Sequence, residues 1–170
     1  MSDQPLIIPP RLQRLRVPKQ ALEETRMLLA LPGKEGLEAV VLWIGSVISE
    51  TEAQVEEVYF PRQIAYYGLG GLAVEIPVEE WTQLALRLAP GQFVLAKLHT
   101  HSAHAYHSEV DEANPYMCHE GAIAITVPDF ASAPLGNLVG CSVNVLRGYR
   151  WNELVPSEIE QTIVVEESAS

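Results

Sequence analysis

Apolar positions along the chain recur at two spacings, and each spacing marks its own elements. Behind Pro18, which fits a first helical position, Ala21, Leu22, Thr25, Leu28 and Leu29 repeat at helical intervals until Pro32-Gly33. A second helix is predicted over 78–88 behind Pro77, with Trp81, Leu84, Ala85 and Leu88 on one face and Pro90-Gly91 as the stop. Between them, 37–49 is a nearly unbroken run of Leu, Val, Ile and Trp, which predicts a buried strand, and Glu50-Thr51-Glu52 turns it into another over 53–60. That second strand mixes Val55, Val58 and Phe60 with Glu56 and Glu57, as a wet face or a sheet edge would. Residues 61–71, with Tyr66, Tyr67 and three glycines, read as a mobile, exposed loop. Further strands are expected over 72–76, 93–98, 121–127, 139–146 and near 149–154, with a polar loop over 129–137. The pattern divides the chain into an extended arm (1–16), one domain (17–165) and a frayed tail (166–170). Strands and helices intermix without repeats, so the class is α/β or α+β, a single domain with a mixed central sheet flanked by helices.

Composition narrows the function classes. The 170 residues are 48% hydrophobic and 19% charged, within the range of soluble globular domains. A net charge of −11 argues against a nucleic-acid partner, which demands concentrated positive charge. Arg11, Arg14, Arg16 and Lys19 cluster, but a solvated lead-in to the first helix explains them better than an RNA-binding arm. Two cysteines, Cys118 and Cys141, are too few for a disulfide framework, and there is no C-x-x-C pair. With no signal-peptide pattern and no apolar stretch long enough to span a bilayer, a cytoplasmic protein without a membrane partner is expected.

Candidate chemistry is concentrated in one window. Four of the five histidines lie between His99 and His107, directly after an apolar strand. Alternate residues of a strand face one side, so His99 and His101 aim both imidazoles at one point if extended geometry persists to the second. Two imidazole nitrogens and one carboxylate, with a fourth position left for water, form the ligand set of a catalytic zinc site. Asp111 supplies the carboxylate ten residues on, and Ser108 stands one helical turn before it. A lone H-x-H is commonly surface decoration, and His104 and His107 could simply make the loop polar. The conjunction of a buried strand, H-x-H at its end and S-x-x-D downstream favours metal.

These residues resemble the signature of the JAMM (JAB/MPN) zinc metallopeptidases: an upstream Glu, then H-[S/T]-H, a short loop and S-x-x-D. The match is His99-Thr100-His101 followed by Ser108-Glu109-Val110-Asp111, with six residues between the two parts where seven is typical and Ser102 where proline is common. For the upstream glutamate, Glu38 heads an apolar strand and has Gly45 seven positions later, as the family pattern has; Glu35, among Gly33, Lys34 and Gly36, is the rival and reads as a turn residue. The resemblance implies an MPN domain of cytidine-deaminase-like architecture, one Zn²⁺ per chain on His99, His101 and Asp111, Glu38 as general base, and Ser108 as a donor to the tetrahedral oxyanion. It also implies a deubiquitinase-like substrate class: peptide or isopeptide bonds at the C-terminus of a ubiquitin-like protein. The compact chain looks like a bacterial or archaeal stand-alone member, which would place E1- or E2-like enzymes among its partners. The loops 61–71 and 129–137 are nominated to grip the substrate tail. Two alternatives are a non-catalytic MPN-type scaffold and a zinc amide hydrolase acting on a small molecule. A zinc deaminase would need a P-C-x-x-C partner, which is absent. Cys118-His119 reads as a thiol and a surface imidazole, with metal binding as a weak second possibility.

Overall fold

The computed structural model describes residues 11–106 and 117–167. Within them, β1 (Arg14–Pro18) leads into α1 (Lys19–Gly33), followed by β2 (Val40–Val47), β3 (Glu52–Tyr59), β4 (Ile64–Gly68), β5 (Gly71–Glu75) and α2 (Val78–Arg87). The chain continues through β6 (Gln92–Thr100), β7 (Ile123–Val127), a single turn at Asp129–Ala131, β8 (Ser142–Arg147), β9 (Arg150–Glu153), α3 (Pro156–Thr162) and β10 (Ile163–Glu166). Eight strands form one mixed sheet in the order β10-β1-β3-β2-β6-β7-β8-β9, and β4 and β5 form a separate hairpin. The architecture is the mixed α+β class expected, with β2 and β6 antiparallel at the centre and β6 parallel to β7.

Strand alternation sends side chains to two cores. Ala39, Val41, Trp43, Leu98, Ile125 and Val143 join α1 residues Leu22 and Leu29 on one face. Val40, Leu42 and Ile44 meet Trp81 and Leu84 of α2 on the other. Thr25, a polar residue within the apolar stripe of α1, has its explanation here: the buried Trp43 Nε1–H donates to Thr25 Oγ1 at 2.8 Å.

Three sequence expectations change. Of the two readings of β3, the wet face holds, with Glu56 exposed, and the edge does not, because β1 pairs with it at Glu52, Ala53 and Gln54. β1 itself lies partly where an extended arm was expected; its alternating burial, with Leu15 and Val17 fully inside, is short and interrupted by arginines. Residues 61–71 are exposed for the most part, with Pro61 buried, and contain β4, which pairs with β5 from Ile64↔Glu75 to Gly68↔Gly71. The hairpin escapes a reading of periodicity because neither of its faces is well buried.

Candidate metal centre

The end of β6 carries the centre. His99 pairs with Val40 of β2 and with Thr126 of β7, on the α2 side of the sheet. Thr100 ends the strand, yet the ladder runs one residue further: His101 N–H donates to Val127 O at 2.9 Å. Extended geometry therefore persists to the second histidine, the condition on which the H-x-H reading depends. The two imidazoles converge, with His99 Nε2 and His101 Nε2 3.2 Å apart and their planes inclined by 68°. Two nitrogens each about 2.05 Å from one tetrahedral ion stand roughly 3.3 Å apart. The pair thus matches two ligands of a single zinc; without a cation, one ring must protonate Nε2 to donate to the other. On this donor geometry the residues fit the metal.

The residue between the histidines has a separate task. Thr100 Oγ1 accepts from Ala39 N–H at 3.0 Å, and Thr100 N–H donates to Ala39 O at 3.0 Å. These bonds carry the contact between β2 and β6 one residue past Val40↔His99, to Ala39 beside Thr100, with Glu38 next in the chain. Glu38 is 8% exposed and His99 4%. Both are buried, and Val40, two residues after Glu38, pairs with His99. Glu35, the rival of Glu38, lies in the turn after α1, where its N–H donates to Pro32 O.

His101 is braced further. Its carbonyl accepts from Phe130 N–H at 2.9 Å, Ala103 O accepts from Asp129 N–H at 3.0 Å, and the Tyr106 ring stands edge-on to the imidazole with centroids 4.6 Å apart. Asp129, Phe130 and Ala131 all have left-handed φ of 50°, 52° and 57°, a conformation that costs non-glycine residues about 1–2 kcal/mol each. The roles of Thr100, Tyr106 and this turn were not anticipated. Only the choice of Thr within the motif could have signalled the first.

Ser108, Asp111 and His107 lie outside the described residues. Among the described residues no three His, Cys, Asp or Glu side chains gather into a metal-holding group, so the third ligand rests on motif spacing alone. His104 is exposed. His119 is engaged with the sheet: its Nε2–H donates to Val94 O at 3.1 Å. Cys118 is exposed, and burial pushes the Cys141 thiol up to about 11.

No family model matches the chain. A protein called "Probable metalloprotease y4jG", from Sinorhizobium fredii (strain NBRC 101917 / NGR234), is 29% identical over 144 residues, 84% of this chain and 88% of that protein. The solution structure of protein DSY2949 from Desulfitobacterium hafniense superposes with a TM-score of 0.52 at 18% identity, covering 91% of this chain and 94% of that one. That second likeness concerns the fold alone.

Proposed function

We propose that the chain is a zinc-dependent metallopeptidase of the JAMM type, cleaving peptide or isopeptide bonds after the C-terminal glycine of a ubiquitin-like protein. The observation that carries the reading is the 3.2 Å approach of the His99 and His101 Nε2 atoms, with Glu38 buried two residues before the Val40 that pairs with His99. Similarity to a protein named as a metalloprotease supports the same reaction class. His99, His101 and Asp111 would hold the metal. When bound there, zinc supplies Lewis acidity, easing deprotonation of water and polarising a carbonyl.

The remaining work falls to side chains. Glu38 takes the proton of the attacking water and delivers it to the departing amine, which suits a carboxylate held at low exposure beside the reacting atoms. Ser108 donates a hydrogen bond to the oxyanion. The β4–β5 hairpin presents Tyr66, Tyr67 and Leu69 to solvent, and with 129–137 it is the surface proposed to hold an extended glycine-rich tail. E1- or E2-like conjugation enzymes would be the functional neighbours of such a deconjugase.

The test is cleavage of a ubiquitin-like fusion by the zinc-loaded chain. Glu38→Gln should abolish turnover while leaving zinc bound, and a short tail peptide should react far more slowly than the folded substrate, because remote binding energy aligns the scissile bond. If Glu35→Gln is the dead variant and Glu38→Gln stays active, the base is misassigned. Equal cleavage of fusion and peptide would overturn the substrate class.

A further inference from the structure

Val40 opens β2, and consecutive peptides of a strand bond to opposite sides. Ala39 is bonded toward β6 through both atoms to Thr100, so the N–H and C=O of Val40 point toward β3. The β2–β3 register pairs Leu42 with Tyr59, Trp43 with Val58 and Ile44 with Glu57. Continued by two residues, it sets Pro61 opposite Val40. Proline has no N–H to give a ladder, and β3 ends at Tyr59.

The side-chain amide of Gln63 takes the missing place. Val40 N–H donates to Gln63 Oε1 at 2.6 Å, and Gln63 Nε2 donates to Val40 O at 3.0 Å. Gln63 Nε2 also donates to Pro61 O at 3.0 Å. One primary amide therefore reproduces both bonds of an antiparallel pair and uses its other N–H on the carbonyl of the proline that interrupts the strand. Ile64, the next residue, begins β4. The same side chain thus joins the root of the hairpin to the head of β2.

We propose that Gln63 is a positioning residue: it serves as a one-residue surrogate strand that fixes Val40 from the side opposite His99 and Thr100. It thereby holds Glu38 at its station and ties that station to the β4–β5 hairpin. Its bearing on catalysis rests on the reading of Glu38 as general base. With the amide gone, Val40 loses both bonds on its β3 side, and the segment that carries Glu38 into β2 is loosened there. The consequence for Glu38 belongs in the proton-transfer step rather than in metal binding, since small misplacements of a reacting group cost rate steeply.

The experiment uses the full zinc-loaded chain with Gln63→Met, which keeps length and removes the amide, and Gln63→Glu, which keeps the acceptor for Val40 N–H but loses the donor. Arg87→Ala, which breaks the exposed pair with Glu57, is the control. In Gln63→Met the Val40 amide should exchange about tenfold faster or more, the Glu38 carboxyl carbon resonance should shift, and zinc content should hold. On the fusion substrate kcat should fall about tenfold, and any rise in KM reports the loosened hairpin. Gln63→Glu should lie between Gln63→Met and wild type, and Arg87→Ala should alter none of these. Unchanged Val40 exchange overturns the clamp; faster exchange with unchanged kcat and an unshifted Glu38 resonance overturns its bearing on the base. If the wild type cleaves no fusion, the functional reading fails by itself, and Val40 exchange with the Glu38 resonance still decides the positioning claim.

Discussion

Gly33 ends α1 against the left-handed turn that braces His101. A Cβ there would fall 2.5 Å from Phe130 Cβ and 3.0 Å from Phe130 O, so any larger residue must displace the turn. Gly33→Ala should therefore destabilise the protein by about 1–3 kcal/mol, as overpacking does. Because Phe130 N–H holds His101 O, it should also weaken zinc binding, measured by competition with a chelator. A variant that loses stability and keeps full zinc affinity would uncouple the turn from the centre. The two thiols should differ as sharply. Cys118 is exposed and should react with a thiol reagent at pH 8, whereas Cys141, half-buried and with its pKa raised by burial from 9.0 to about 11, should react far more slowly until the chain unfolds. The raised value has a definite sign for stability: the unfolded chain releases this proton first, so the contribution is lost as pH rises from 9.0 to about 11. At this scale the sequence is legible where residue type and spacing are themselves the chemistry, as in His99-Thr100-His101. It is silent where a side chain answers a backbone group far along the chain, as Gln63 answers Val40.

At the scale of elements, periodicity located α1, α2 and the strands that alternate or run apolar, because burial on one face leaves its period in the sequence. The β4–β5 hairpin leaves no such trace, since it packs neither face fully. Gly45 shows how an element constraint can resemble a functional one. A Cβ at Gly45 would meet Gln54 O at 1.8 Å, beside the register shift between Ile44 and Gly45, so the glycine of the Glu38…Gly45 spacing is required by the β2–β3 bulge. Gly45→Ala should break that pairing and yield little folded protein, read by circular dichroism and expression in soluble form. The link between α1 and β2 makes a milder prediction. Thr25→Val leaves the buried Trp43 N–H without its acceptor, which should cost about 1–3 kcal/mol in urea denaturation. An unchanged midpoint would mean that the indole finds another acceptor.

For the whole molecule, topology does what local sequence cannot. Residues 40 and 99 are far apart along the chain and pair because β2 and β6 are central neighbours in the sheet. The basic cluster near the N-terminus is partly consumed within the fold, as Arg16 bridges Glu52 at 2.6 Å and Glu166 at 3.4 Å while Lys19 reaches Glu167 at 3.1 Å. Among the described residues no helix is long and apolar enough to cross a membrane. The account stands or falls on a metal held by the paired imidazoles. Zinc content of the purified full chain, measured beside the His99→Ala, His101→Ala and Asp111→Ala variants after identical dialysis, tests it most directly. The account predicts about one zinc per wild-type chain and loss of most of it in each variant; zinc retained at the wild-type level in His101→Ala would contradict it.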